Sequence, residues 1–138
     1  MSRVLLDTGP LVALLSEREA HHAWAMVRFA ELAGPCVTCE AVLTESFHLL
    51  TKVRGGSAAL RQALRDGLIT LDFDLRTEMT AVLELMERYS DLPMSLADAC
   101  LVRMTELNSG ARIFTLDEDF RIYRRNRAEP IEVIAPFG

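Results

Sequence analysis

Four acidic residues interrupt the apolar pattern of this sequence at places where an acid needs a reason: Asp7, Glu45, Asp98 and Asp117. Asp7 ends the apolar run Val4-Leu5-Leu6, and Asp117 stands just past the segment Arg112 to Thr115. Both segments read as short strands, and parallel α/β sheets bind ligands beyond the carboxyl ends of their strands. Glu45 shares a helical face with Val42 and Leu49, where a charge is costly unless it is paired or bound to a metal. Asp98 falls in the first turn of a helix. Three of the acids also have a plainer explanation: Asp7 as a helix cap, Ser95-x-x-Asp98 as a capping box, Asp117 as a turn residue. Their coincidence is what points to chemistry. Two carboxylates about 6 Å apart repel by roughly 3 kcal/mol at an effective dielectric near 20, so four in one pocket take up protons or hold cations. Oxygen ligands without His or Cys favour Mg²⁺ or Mn²⁺ over zinc. Cations held in this way suit phosphoryl chemistry, activating a water and neutralising phosphate charge.

The elements that must position these acids alternate. After the strand Arg3 to Asp7, Gly9-Pro10 starts a helix with Pro in its first turn and Leu11, Leu14 and Leu15 on its apolar face. A second helix is expected from about Glu19 to Ala33, broken by Gly34-Pro35. Cys36 to Thr38 reads as a strand, Glu40 to Lys52 and Ser57 to Asp66 as helices, and Leu68 to Phe73 as an alternating strand. Helices follow over Leu75 to Tyr89 and Ser95 to Leu107, then the strand Arg112 to Thr115, a polar loop, and a last strand Ile131 to Ile134. This order implies an α/β fold with a largely parallel sheet covered on both faces.

A chain of 138 residues, half of them apolar, fits one domain with a proper core. The opening apolar run is too short for a signal peptide or a membrane span, so the protein is expected in the cytoplasm. Cys36, Cys39 and Cys100 are an odd count, and Cys36-x-x-Cys39 has no second pair to complete a zinc site, so buried thiols are expected. The net charge of −5 has the wrong sign for bulk attraction to nucleic acid. Without the four acids the balance is 15 basic against 16 acidic side chains, and bound cations would bring the chain near neutrality. Basic residues cluster at Lys52, Arg54, Arg61 and Arg65 and again at Arg121, Arg124, Arg125 and Arg127. A solvated face is the plain reading of each cluster; guidance of a nucleic acid past the pocket by Arg54, Arg124 and Arg125 is the functional one. His21, His22 and His48 have no spacing that ties them to the acids, and Trp24 reads as core.

Four motifs in order, VLLDTGPLVALL with Asp7, VLTESFHLL with Glu45, SLADACLVRMTEL with Asp98, and IFTLDEDF with Asp117, resemble the PIN-domain nucleases. Within that family the sequence is similar to the VapC-type ribonucleases of prokaryotic toxin–antitoxin pairs, over nearly its whole length. The resemblance implies a three-layer α/β/α sandwich and an RNA substrate. It also implies Asp7, Glu45, Asp98 and Asp117 as catalytic and metal-binding residues, with Mg²⁺ or Mn²⁺ as cofactor. Asp119 corresponds to an additional acid that only some members carry, and Thr8 and Thr115 would orient carboxylates or water. The implied reaction is hydrolysis of RNA by a metal-activated water, leaving a 5′-phosphate and a 3′-hydroxyl. A homodimer and a cognate antitoxin are implied as partners. The family pattern does not contain the Cys-x-x-Cys.

Other readings fit less well. Asp7-Thr8-Gly9 matches the motif of aspartic proteases, but that fold is all-β and here a helical pattern follows at once. A phosphoacceptor receiver needs an acidic pair at the first strand and a late lysine, and neither occurs. An Asp-x-Asp phosphatase loop would need an acid where Gly9 stands. A catalytically silent PIN-like module that binds RNA or protein remains the alternative.

Overall fold

The computed structural model describes residues 3–137. Its strands are β1 (Val4–Leu6), β2 (Cys36–Thr38), β3 (Ile69–Leu71), β4 (Arg112–Phe114), β5 (Arg124–Arg125), β6 (Glu129–Pro130) and β7 (Glu132–Ile134). Its helices are α1 (Thr8–Leu15), α2 (His22–Ala30), α3 (Glu40–Leu50), α4 (Gly56–Arg65), α5 (Leu75–Arg88) and α6 (Leu96–Leu107), with a 3-10 turn over Glu118–Arg121. Five strands form one parallel sheet in the order β3-β2-β1-β4-β7. Consecutive residues of β1 point to opposite faces, and Val4, Leu5 and Leu6 are all buried, so helices cover both faces of the sheet.

β1 is the centre of the sheet and its register sets the geometry of the site. Leu5 lies opposite Val37 on one side and Ile113 on the other, and Leu6 lies opposite Phe114. From β1 the chain winds outward through β2 to β3, then returns to place β4 and β7 on β1's other side. The carboxyl ends of β1 and β4 therefore flank the point where the winding reverses, where such sheets open a crevice. The ladder runs one residue past β1, because Asp7 N–H donates to Phe114 O at 3.0 Å. On the other side Thr38 Oγ1 donates to Leu6 O at 2.7 Å. Among the helices, α1 packs on α2 and α3, α5 packs on α6, and α3 reaches α6. Trp24 sets its indole edge-on to Phe114 of β4, as expected of a packing residue.

Three elements differ from the sequence expectation. The second helix is shorter, His22–Ala30. Residues 16–21 instead form turns closed by Glu19 N–H to Ser16 O and His22 N–H to Glu19 O, because the exposed Glu17-Arg18-Glu19 run has no apolar face to bury. The third strand shrinks to Ile69–Leu71: it is an edge strand paired only with the three residues of β2. The polar loop after β4 holds the 3-10 turn and an antiparallel hairpin of β5 and β6. Asn126 and Arg127 turn that hairpin with φ of 47° and 70°, and Arg-Arg-Asn-Arg carries no apolar alternation to announce it.

Candidate active site

Asp7 occupies the junction between β1 and α1 and is the N-cap of that helix. Its Oδ1 accepts from Thr8 N–H at 2.8 Å, and its Oδ2 accepts from Thr115 Oγ1 at 2.7 Å. Only 6 % of Asp7 is exposed. Burial pushes its carboxyl up to about 7; Asp98 and Asp117 add repulsion, and the bonds from Thr115 and Thr8 oppose the rise. Thr115 lies one residue past β4 and is fully buried. Besides donating to Asp7, its hydroxyl accepts Asp117 N–H at 2.9 Å, so a single side chain ties two of the acids together.

Asp117 in turn caps the 3-10 turn, its Oδ1 accepting Asp119 N–H at 2.9 Å. The Asp119 carboxyl is raised by partial burial and by the Asp117 charge. On the facing helix, Ser95 Oγ accepts Asp98 N–H at 3.0 Å, the capping interaction expected from sequence. The Asp98 carboxylate does something else: its Oδ2 accepts from the Tyr123 hydroxyl at 2.9 Å. Burial raises the Asp98 carboxyl, the Tyr123 bond opposes this, and Asp117 and Glu45 add repulsion. Tyr123, whose own hydroxyl is pushed above its ordinary range by burial and by Asp98, was not singled out in the sequence. An isolated Tyr in a polar, arginine-rich run gives no signal.

Glu45 reaches the same place by a different route. The buried face of α3 is Val42, Ser46 and Leu50, whereas Leu49 is 45 % exposed. The expected stripe of Val42, Glu45 and Leu49 is therefore corrected. Apolar residues at 42, 43, 47, 49 and 50 left the face ambiguous, and packing chose the four-residue spacing. Glu45 is exposed beside that face, where its Oε1 accepts from Thr8 Oγ1 at 3.1 Å.

All four acids line one open cleft of about 720 Å³, together with Thr8, Gly9, Pro93, Ser95, Leu116, Glu118 and Asp119. The N-termini of α1 and α6 open on it, and their partial positive charge offsets some of the repulsion among the acids. Gly9 lets the walls come close, since a Cβ there would stand 3.1 Å from Leu116 Cβ. Among the described residues no three carboxylates, imidazoles or thiols already converge on one point as a finished cation cage. Repulsion between acids with no countercharge accounts for such a spread arrangement. A second groove, of about 620 Å³, lies at the amino ends of the strands around Arg3, Val4, Pro35 and Arg112, away from the acids.

Among the described residues, no basic side chain lines the acidic cleft. Arg54 is exposed, beside Arg18 and Lys52 in a separate groove. The Arg124 guanidinium donates to the carbonyls of Arg121, Ile122 and Tyr123. That of Arg125 bonds Thr105 O and Glu129. These two side chains brace the hairpin against its surroundings. Cys36, Cys39 and Cys100 are free and buried, and burial pushes the Cys36 thiol up to about 12. His22 lies 2.6 Å from Ala13 O through its Nδ1, a packing contact between α1 and α2.

Compared by sequence with curated proteins, the chain matches none. Compared by structure, it is similar to VapC20 of Mycobacterium tuberculosis, described as a toxin that cleaves the sarcin–ricin loop, with a TM-score of 0.74 and 21 % identity over 92 % of this chain and 99 % of that one. At that identity the likeness establishes the fold: a parallel five-stranded sheet between helices, as the sequence led one to expect. The PIN domain profile matches residues 4–126, nearly the whole length. The chain belongs to the PIN-domain family.

Proposed function

We propose that this chain, as one nuclease domain over residues 1–138, is a Mg²⁺- or Mn²⁺-dependent endoribonuclease and the toxin of a toxin–antitoxin pair. The observation that carries this reading is the meeting of Asp7, Glu45, Asp98 and Asp117 in one cleft at the carboxyl edge of the sheet. The donor set fits a hard divalent cation. It is all oxygen, it excludes His and Cys, and burial together with the neighbouring acids raises the Asp7 and Asp98 carboxyls. Asp7, Asp98 and Asp117 would hold the ion, with Glu45 contributing directly or through water. Mg²⁺ or Mn²⁺ bound there supplies Lewis acidity that activates water and neutralises phosphate charge.

The protein's own groups do the positioning. Thr115 and the Thr8 amide fix both oxygens of Asp7, Thr115 also fixes the backbone of Asp117, and Thr8 Oγ1 holds Glu45. Asp119, next to Asp117, enlarges the acidic rim. RNA as substrate, a cognate antitoxin, a homodimer and a cytoplasmic setting all belong to this reading; its nuclease and toxin parts are supported by the family and by the toxin whose fold this chain shares. Arg54, exposed in its basic groove, is the residue best placed to guide RNA; Arg124 and Arg125 are engaged in bracing.

The second reading is a silent binding module that keeps the fold without the chemistry. Incubation of the purified protein with total cellular RNA, with Mn²⁺ or with EDTA, separates the two readings. The nuclease reading expects discrete cleavage sites with Mn²⁺, none with EDTA, and none for Asp7→Asn or Asp98→Asn. Cleavage that survives both substitutions sinks the carboxylate mechanism, and an inert wild-type protein establishes the binding module.

A further inference from the structure

The segment that follows β4 does more for the cleft than supply Asp117. Within nine residues it sends Thr115 to Asp7, presents Asp117 and Asp119, and ends on Tyr123, whose hydroxyl reaches across to Asp98 on α6. Tyr123 is fully buried. Its ring is clamped edge-on by Tyr89 at 5.1 Å and Phe120 at 5.2 Å, and its N–H donates to Asp119 O at 3.1 Å. The phenol has little freedom left, so the place of its hydroxyl is dictated by the core. Tyr89, half-buried in the same cluster, satisfies its hydroxyl differently, by accepting Arg124 N–H at 2.9 Å.

We propose that Tyr123 is a positioning residue for cation binding: its hydroxyl holds Oδ2 of Asp98, fixing the rotation of that carboxylate and presenting the other oxygen to the ion. The inference rests on the metal-dependent reading above. A buried tyrosine needs a partner for its hydroxyl in any protein, and a bond made only for that purpose would leave metal affinity untouched. A bond that orients a ligand controls it: losing such an outer partner costs about 10- to 100-fold in affinity.

Mn²⁺ titration calorimetry on the full chain tests this, at a temperature where circular dichroism shows every variant folded. Tyr123→Phe keeps the ring and removes the bond, and is expected to weaken Mn²⁺ binding about tenfold. Tyr89→Phe removes the neighbouring hydroxyl, whose bond is to Arg124 N–H, and is expected to bind as wild type does. In an Asp98→Asn background the Tyr123 change is expected to add less than about twofold, because it acts through Asp98. Wild-type affinity in Tyr123→Phe, an equal loss in Tyr89→Phe, or full additivity with Asp98→Asn overturns the role of Tyr123 while leaving the metal reading intact. A wild-type protein that binds no Mn²⁺ overturns both.

Discussion

Asp7 carries a conflict that makes it measurable. It is buried between Thr8 and Thr115 with its carboxyl pushed up to about 7, against an ordinary value of 3.8. The native state therefore holds a proton between those two values that the unfolded chain releases. The stabilisation is fully present below about pH 4 and is lost as pH rises through 7, by something on the order of 4 kcal/mol as an upper bound. In EDTA, urea unfolding from pH 5 to pH 8 is expected to show this decline. Asp7→Asn is expected to flatten it and to be more stable than wild type at pH 8, while losing RNA cleavage by at least about 100-fold. Mn²⁺ competes with the same proton, so its affinity should climb over this range, and calorimetry in two buffers should show proton release. A substitution that stabilises the fold while abolishing activity distinguishes a group kept for function from one kept for folding.

At the level of elements, α6 does two jobs with its first turn. Ser95 caps the helix through Asp98 N–H, and Ser95→Ala is expected to lower stability by about 1 kcal/mol in thermal or urea unfolding. The cap also sets where Asp98 begins, so the same variant should bind Mn²⁺ less tightly. Much of this arrangement could be read from the sequence. The apolar run of β1, the strands β2 and β4 and the turn signals that close α5 and α6 are legible there, and the placement of Asp7 and Asp117 follows from strands that are parallel neighbours. What could not be read depends on packing across the chain. Glu45 arrives beside Thr8 because α3 buries Ser46 instead of Leu49. Tyr123 meets Asp98 only because a hairpin with no periodic pattern folds back on α6. Local pattern reports which face of an element is apolar, and where several faces qualify the neighbours decide.

Over the whole molecule the acidic cleft and the net charge of −5 belong together. No helix among the described residues is long and apolar enough to cross a membrane, and on the nuclease reading this charge must admit RNA. Because the cleft has no basic lining, RNA affinity is expected to depend more on the divalent cation than on bulk attraction. Filter binding of the inactive Asp98→Asn protein should give a shallow dependence on KCl, with a slope magnitude below about 3, against the steep slopes of proteins that neutralise many phosphates. Arg54→Glu should weaken binding moderately without moving the cleavage sites.

The sheet order has a last consequence, for timing. β1 is made first, yet its neighbour β4 and the bond from Thr115 to Asp7 come from the far end of the chain, 108 residues later. A ribosome synthesising this protein thus releases β1, β2 and β3 well before Asp7 gains Thr115, and Asp98 gains Tyr123 later still. On the nuclease reading, the growing chain is expected to stay inactive towards RNA until the segment through Tyr123 has emerged. Ribosome-stalled chains ending before Thr115 are expected to show no Mn²⁺-dependent cleavage, whereas chains that have fully exposed Tyr123 and β7 should acquire it in one step.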